Sequence, residues 1–273
     1  MRVIKKTGKN GVPYLTFPVL DEIDWIVNGF STREGGVSKG DCATMNLSFT
    51  RGDDPDAVYE NYERIGQAIG FTKEQIVTSH QTHTTNVRLV TKADAGKGIT
   101  TQRDYTDVDG LITNEPGLAL TTYYADCVPL YFVDKKNHAI GLSHSGWRGT
   151  VNKMGAKTLE AMKNAFGTNP SDVLACIGPS ICQDCYEVSR DVADAFYEGF
   201  GQRAEELLIK KQFDKFQLDL WKANEFIFEE AGVPKEQITV GGICTCCNSD
   251  WLFSHRASHG KRGNLAAFLM IKY

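Results

Sequence analysis

Apolar residues recur at helical spacing in four stretches of this chain and form short unbroken runs in five others. After Asp53-Asp54-Pro55, which reads as a cap followed by a first-turn proline, Val58, Tyr62, Ile65 and Ile69 fall on one helical face. Val151, Met154, Thr158, Met162 and Ala165 mark a second helix, ended by Gly167 with Pro170 beyond it. A third helix begins near Asp191, and a fourth runs from about Asp219 to Ala231, stopped by Gly232 and Pro234. The short apolar runs Leu118–Tyr123, Val128–Val133 and Ala139–Ser143 read as strands, as do Ile238–Ile243 and Leu265–Ile271. Strands and helices do not alternate regularly, so the expectation is an α+β fold with mixed sheets rather than a doubly wound parallel sheet. No repeat, low-complexity tract or linker interrupts the pattern, and 1–273 reads as a single domain.

Composition changes this picture little. Of 273 residues, 41% are hydrophobic and 23% charged, which is ordinary for a globular chain able to bury a core. The net charge of −4, without a basic arm or stripe, argues against a nucleic-acid partner. The basic cluster near the N-terminus has no apolar stretch behind it, and no run is long enough to span a membrane, so a cytoplasmic chain with no membrane partner is expected. In that setting eight cysteines point to metal binding or catalysis before disulfides. Cys42 and Cys176 stand alone in their segments and read as small buried hydrophobes.

The chemistry concentrates where apolar runs end. Cys127, in Ala125-Asp126-Cys127, lies between two expected strands, and His144, in Ser143-His144-Ser145-Gly146-Trp147-Arg148-Gly149, ends a third. If those strands are neighbours, both side chains reach one sheet end. His83, from the segment Ile76–Val90, completes a three-ligand set, while His80 remains open as a ligand, a partner to one, or an exposed residue. A lone His or Cys is more often a satisfied core residue; the combination shifts the balance to a metal. Imidazole with thiolate suits zinc or copper, and three protein ligands leave one position open, as in catalytic zinc sites. Asp126 and Asp109 are candidates to orient a ligating imidazole.

Other patterns carry less. Cys182-Gln183-Asp184-Cys185 and Cys244-Thr245-Cys246-Cys247 hint at a structural zinc site of four cysteines, but the second half does not read as a clean C-x-x-C, and the balance falls against it. Gly141-Leu142-Ser143-His144-Ser145 narrowly misses a nucleophile elbow, and neither H-E-x-x-H nor the deaminase signature H-x-E…P-C-x-x-C occurs. Arg33, in Ser31-Thr32-Arg33-Glu34-Gly35-Gly36-Val37-Ser38, sits where glycine-freed amides can help hold an anion. Arg148 stands at the start of a helix, where amides and dipole also favour anions, beside the aromatic face of Trp147. Phosphate plus a heteroaromatic substrate would account for both arginines, although plain salt-bridged loops remain the alternative.

Taken in order over nearly the whole chain, these segments resemble the YfiH/laccase-domain family, also called multi-copper polyphenol oxidoreductases or purine nucleoside phosphorylases. The resemblance rests on Gly29-Phe30-Ser31-Thr32-Arg33, Met45-Asn46-Leu47-Ser48, Gln81-Thr82-His83, Asp109-Gly110, Ala125-Asp126-Cys127-Val128-Pro129 and His144-Ser145-Gly146-Trp147-Arg148-Gly149. Ile177-Gly178-Pro179-Ser180-Ile181, Cys185-Tyr186-Glu187-Val188 and Phe253-Ser254-His255-Arg256 extend it. The chain departs from the family pattern at Asn28, at Thr84 and in the spacing of Cys182 and Cys185, none of which is a proposed ligand. What the resemblance implies is a zinc site on His83, Cys127 and His144, with His80 outside the motif. It also implies an α+β fold of mixed sheets flanked by helices, grouped with cytotoxic-necrotising-factor-like cysteine hydrolases. The implied activity is phosphorolysis of adenosine, inosine, guanosine and methylthioadenosine, with adenosine deamination.

For that activity Arg33 and Arg148 are the expected phosphate or ribose contacts, and Asn46 and Gln81 polar orienting groups. His83, Cys127 and His144 would serve as both metal ligands and catalytic residues, and Cys127 has a competing reading as a nucleophile. The acid that protonates the departing base is not evident. A copper-dependent polyphenol oxidase is the alternative enzyme, although six histidines are few for laccase chemistry. A non-catalytic or editing factor in cell-wall precursor metabolism is the alternative of another class. The expected partners are purine nucleosides and phosphate, in a monomer or weak homodimer.

Overall fold

The computed structural model describes residues 2–273. Two six-stranded mixed sheets stack face to face, with helices on both outer sides. The first sheet runs in the order Ile4–Thr7, Pro13–Thr16, Ile26–Ser31, Leu265–Ile271, Ala119–Tyr124, Ile76–Thr78. The second runs Ile238–Val240, Val173–Ile177, Val128–Asp134, Ala139–Ser145, Gly110–Thr113, Val87–Leu89. A three-stranded sheet of Glu187–Val188, Phe216–Leu218 and Leu208–Lys210 lies apart.

The unbroken apolar runs follow from this layering, because a strand covered on both faces has no polar side to show. In Val128–Asp134, Leu130 and Phe132 face the helix-side core while Tyr131 and Val133 face the other sheet. Leu265–Ile271 does the same: Leu265, Ala267 and Leu269 point between the sheets, and Ala266, Phe268 and Met270 point outward. The outer face of the first sheet is covered by the helix Pro55–Ile69 through Val58, Tyr62 and Ile65. That of the second is covered by Met154–Phe166 and Leu220–Glu230, with Arg190–Phe200 packed beside them against the small three-stranded sheet.

Local signals place the helix ends. The Asp54 side chain accepts the Asp56 amide, Pro55 opens the helix, and Gly70 closes it at φ +112. Asp219 caps Leu220–Glu230 by accepting from the Lys222 amide. The expected helix from Val151 is instead two: Trp147–Val151 and Met154–Phe166, broken where Lys153 adopts φ +60. The expected strand Ile238–Ile243 is also shorter and stops at Val240. Cys42 and Cys176 are buried.

A larger correction concerns the three central strands. Ala119–Tyr124 does not pair with Val128–Asp134; it belongs to the first sheet, beside Leu265–Ile271. The chain crosses from one sheet to the other through Ala125-Asp126-Cys127, with Asp126 at φ +86. Cys127 therefore sits at a crossing between layers. Val128–Asp134 and Ala139–Ser145 do pair, antiparallel, with Pro129 opposite His144 and Val128 opposite Ser145.

Candidate metal centre

His144 lies within the Ala139–Ser145 strand and is buried, its ring held by a carboxylate. Asp109, fully buried just before the strand Gly110–Thr113, accepts from His144 Nδ1 at 2.8 Å through Oδ2. The same Oδ2 accepts the His83 amide at 3.2 Å, while Oδ1 accepts the amides of Thr82 and Thr84, both at 3.0 Å. One carboxylate thus gathers the 82–84 turn and the imidazole of the neighbouring strand. His83, at the centre of that turn, takes φ +65.

Ligand atoms of His83, Cys127 and His144 all lie within 4.8 Å of one another. With Nδ1 given to Asp109, His144 keeps Nε2 for a ligand, which is how a carboxylate fixes the tautomer of a metal-binding histidine. Gly146 completes the enclosure. A Cβ there would stand 2.7 Å from His83 Nδ1 and 3.2 Å from Cys127 Sγ, so the side-chain-free position leaves room at the donor atoms. Backbone conformation does not require a glycine, since φ is −75. The donor set and the opening it faces fit one zinc ion with a position to spare.

Charge follows the same plan. Burial alone would lower the His144 pKa, but Cys127 and the Asp109 carboxylate beside it raise it to about 9. Burial works to raise the Asp109 pKa, yet His144 and the turn amides bring it below the usual carboxylate value. Burial, with His144 beside it, lowers that of His83, favouring the neutral ring a metal needs.

The three residues form one end of a cavity of about 310 Å³. Phe49, Tyr123 and Gln81 line it further along, with His80, Arg51, Arg103 and Arg262. Arg262 is the unusual member. Its Nε is buried and has no hydrogen-bond partner, and burial together with the nearby Arg51 lowers its pKa to about 10. Asn264, also on the wall, has a buried unpartnered Oδ1.

Residues 27–272 match the family described as multi-copper polyphenol oxidoreductase laccase. The chain belongs to this family. A Bacteroides thetaiotaomicron relative named purine nucleoside phosphorylase is 37% identical over 242 residues, 88% of this chain and 90% of that protein. A Bacillus subtilis relative, purine nucleoside phosphorylase YlmD, is 35% identical over 251 residues, 90% and 89% of the two chains. The crystal structure of Bacillus licheniformis hypothetical protein YfiH has a TM-score of 0.90 at 30% identity, covering 95% of this chain and 96% of that one.

Within this laccase-family fold, the residues singled out from sequence separate into two groups. His83, Cys127, His144 and Gln81 border the cavity. Gln81 does so while clamping a strand end: its Oε1 accepts the Tyr123 amide at 2.6 Å, and its Nε2 donates to the Tyr123 carbonyl at 2.8 Å. Arg33 and Asn46 do not border it. Arg33 donates from Nε to the Ala43 carbonyl and from a terminal nitrogen to the Ser249 carbonyl, with Phe253 under its guanidinium, so its charge is spent on joining loops. Asn46 is fully buried, its amide bonded to the Ser48 backbone, the Asp53 carboxylate and the Asn264 amide. Arg148 is exposed and stacks 4.3 Å from the Trp147 ring centroid, covering the aromatic face expected to meet substrate.

Arg51, Arg103 and Arg262 supply the cationic wall instead. Nothing local marks them in sequence, because they lie in unrelated loops that only the fold brings together. Of the two acidic candidates, Asp109 holds His144. Asp126 turns elsewhere, accepting from Thr245 Oγ1 and the Arg256 amide, both at 2.7 Å. His80 lines the cavity outside the metal group, and its Nδ1 accepts the Asp107 amide at 3.1 Å, which places the ring proton on Nε2.

The second cysteine group also forms. Sulfurs of Cys182, Cys185, Cys244 and Cys247 lie within 4.8 Å of one another and could hold a metal ion. The structure corrects the reading of the second half: Cys244 and Cys247 are themselves a C-x-x-C pair, and Cys246 is the extra cysteine inside it.

Proposed function

We propose that the protein is a zinc-dependent purine nucleoside phosphorylase acting on adenosine, inosine, guanosine and methylthioadenosine, with deamination of adenosine as a second activity. The observation that carries this reading is a single cavity with a group of two histidines and a cysteine at one end and three arginines, Arg51, Arg103 and Arg262, along its wall. The names of the relatives point to the same reaction.

In phosphorolysis a phosphate oxygen forms a bond to C1′ as the C1′–N9 bond breaks. The electron pair departs on the base, which takes up a proton, leaving ribose 1-phosphate and free purine. The cavity offers a group for each need. Arg262, Arg51 and Arg103 would bind the phosphate through their guanidinium groups. Phe49 and Tyr123 would flank the planar base. His80 Nε2–H would donate a hydrogen bond that stabilises the negative charge on the departing base, which then takes its proton from solvent. His83, Cys127 and His144 would hold the zinc, which supplies Lewis acidity, including the capacity to lower the pKa of a water to about 7 that deamination calls on.

The laccase reading is disfavoured by composition: laccase chemistry needs several coppers and more histidines than the six of this chain. Purified protein given inosine should release hypoxanthine only when phosphate is present, and His83→Ala should lower the rate by at least about 100-fold, a loss of more than ~2.7 kcal/mol of transition-state stabilisation. Base release independent of phosphate, or turnover of a phenol with copper alone, would overturn the assignment.

A further inference from the structure

We propose that Cys182, Cys185, Cys244 and Cys247 bind a second zinc ion as four thiolates, and that this ion holds in place the turn that presents Cys127. The first half stands on the cysteines alone. The second half rests on the zinc-site reading of Cys127, and its test is separate.

Two C-x-x-C pairs supply the donors, a spacing typical of closed structural zinc sites. Sulfurs about 2.3 Å from a central zinc form a tetrahedron with edges of about 3.8 Å. Here Cys185 and Cys247 sulfurs are 3.4 Å apart, and those of Cys182 and Cys247 4.0 Å. Cys244 Sγ accepts two backbone amides, from Cys182 and Cys247, both at 3.3 Å. Amides aimed at a sulfur stabilise it as thiolate and fix its direction, the support that ligands of a metal usually receive. A four-thiolate set is closed, with no position for substrate, and suits zinc far better than hard cations.

The cysteines join two distant loops. The Ser180 amide donates to the Ile243 carbonyl at 3.1 Å, and the Thr245 amide to the Ser180 carbonyl at 3.2 Å. From this junction two contacts reach the sheet crossing. Ile181 N–H donates to the Asp126 carbonyl at 3.0 Å, and Thr245 Oγ1 to Asp126 Oδ1 at 2.7 Å. Asp126 is a non-glycine residue at φ +86 and is the neighbour of Cys127. Such a backbone persists only when its surroundings over-determine it. The four-cysteine junction is a large part of those surroundings.

Metal content of the full-length protein tests the first half. Wild type and Cys246→Ser should carry two zinc ions per chain. The double variant Cys182→Ser/Cys247→Ser should carry one, and so should His83→Ala. If the double variant does not fold, cobalt-loaded His83→Ala decides: intense sulfur-to-cobalt charge transfer from four thiolates supports the site, and its absence overturns it. One zinc per chain in wild type, lost in His83→Ala, overturns it too, as does iron or a cysteine disulfide in protein kept reduced. Thr245→Val tests the second half. It should retain both ions at saturation but bind the one at His83, Cys127 and His144 about tenfold more weakly. Unchanged affinity there would reject the link.

Discussion

Asp109 is the residue on which the site most depends. Its two oxygens serve four backbone or ring N–H donors, from Thr82, His83, Thr84 and His144, in a fully buried position. An amide offers one acceptor oxygen in place of two, and its NH2 would face the His144 Nδ1 proton. Asp109→Asn should therefore weaken zinc binding by ~10–100-fold and cost about 1–3 kcal/mol of stability, read by metal titration and denaturant unfolding. Gly146→Ala separates space from backbone strain. Its φ of −75 accepts alanine, but the new methyl would crowd His83 Nδ1 and Cys127 Sγ. Zinc should be lost while the far-UV circular dichroism stays that of wild type. In metal-free protein the raised His144 pKa gives a stabilisation complete below its ordinary 6.5 and lost as pH rises through about 9. Zinc competes for the same ring, so its affinity should climb across that window and then level, as a pH series of titrations would record. At this scale Cys127 and His144 stood out in sequence because each is a rare donor where an apolar run ends, whereas the choice of His83 over His80 rested on the family resemblance. The roles of Arg33 and Asn46 were not legible, because a polar side chain in a glycine-rich loop serves loop closure as readily as substrate, and only the bonding partners tell the two apart.

Elements were legible where local chemistry decides and obscure where pairing does. Asp54 and Asp219 announce helix starts because their side chains satisfy the first free amides. The Leu265–Ile271 strand stood out because both its faces are covered. Its partners could not be read, since it lies between Ile26–Ser31 and Ala119–Tyr124, strands from distant parts of the chain. The same non-locality concealed the crossing at Asp126, so the sequence left open which of the three consecutive apolar runs are neighbours. Stacking of the two sheets can be tested at Tyr131. Its hydroxyl leaves the second sheet to donate to the Gly29 carbonyl of the first at 3.0 Å. Tyr131→Phe should cost about 0.5–1.5 kcal/mol in urea unfolding by removing that hydrogen bond between the sheets. Its zinc content should not change, because Tyr131 belongs to neither metal group.

Across the whole molecule, the layering places one donor set at the junction of the two sheets and a second where two loops meet behind it. The second was hard to credit from sequence. Cys182 and Cys244 stand 62 positions apart, and Cys246 masks the spacing of Cys244 and Cys247. Ions that bind only the folded chain stabilise it by mass action, by ~2.7 kcal/mol for one site at a hundred times its Kd. A chelator should thus lower the melting temperature, and zinc should restore it in two stages if the sites differ in affinity. The central claim, that the His83, Cys127 and His144 site is the reacting centre of a phosphorylase, is tested most directly by adding zinc back to stripped protein. Phosphate-dependent release of hypoxanthine from inosine is followed at each addition. Turnover should be absent without metal and should rise until the site is filled. Full turnover by stripped protein, or none at any zinc level, would contradict it.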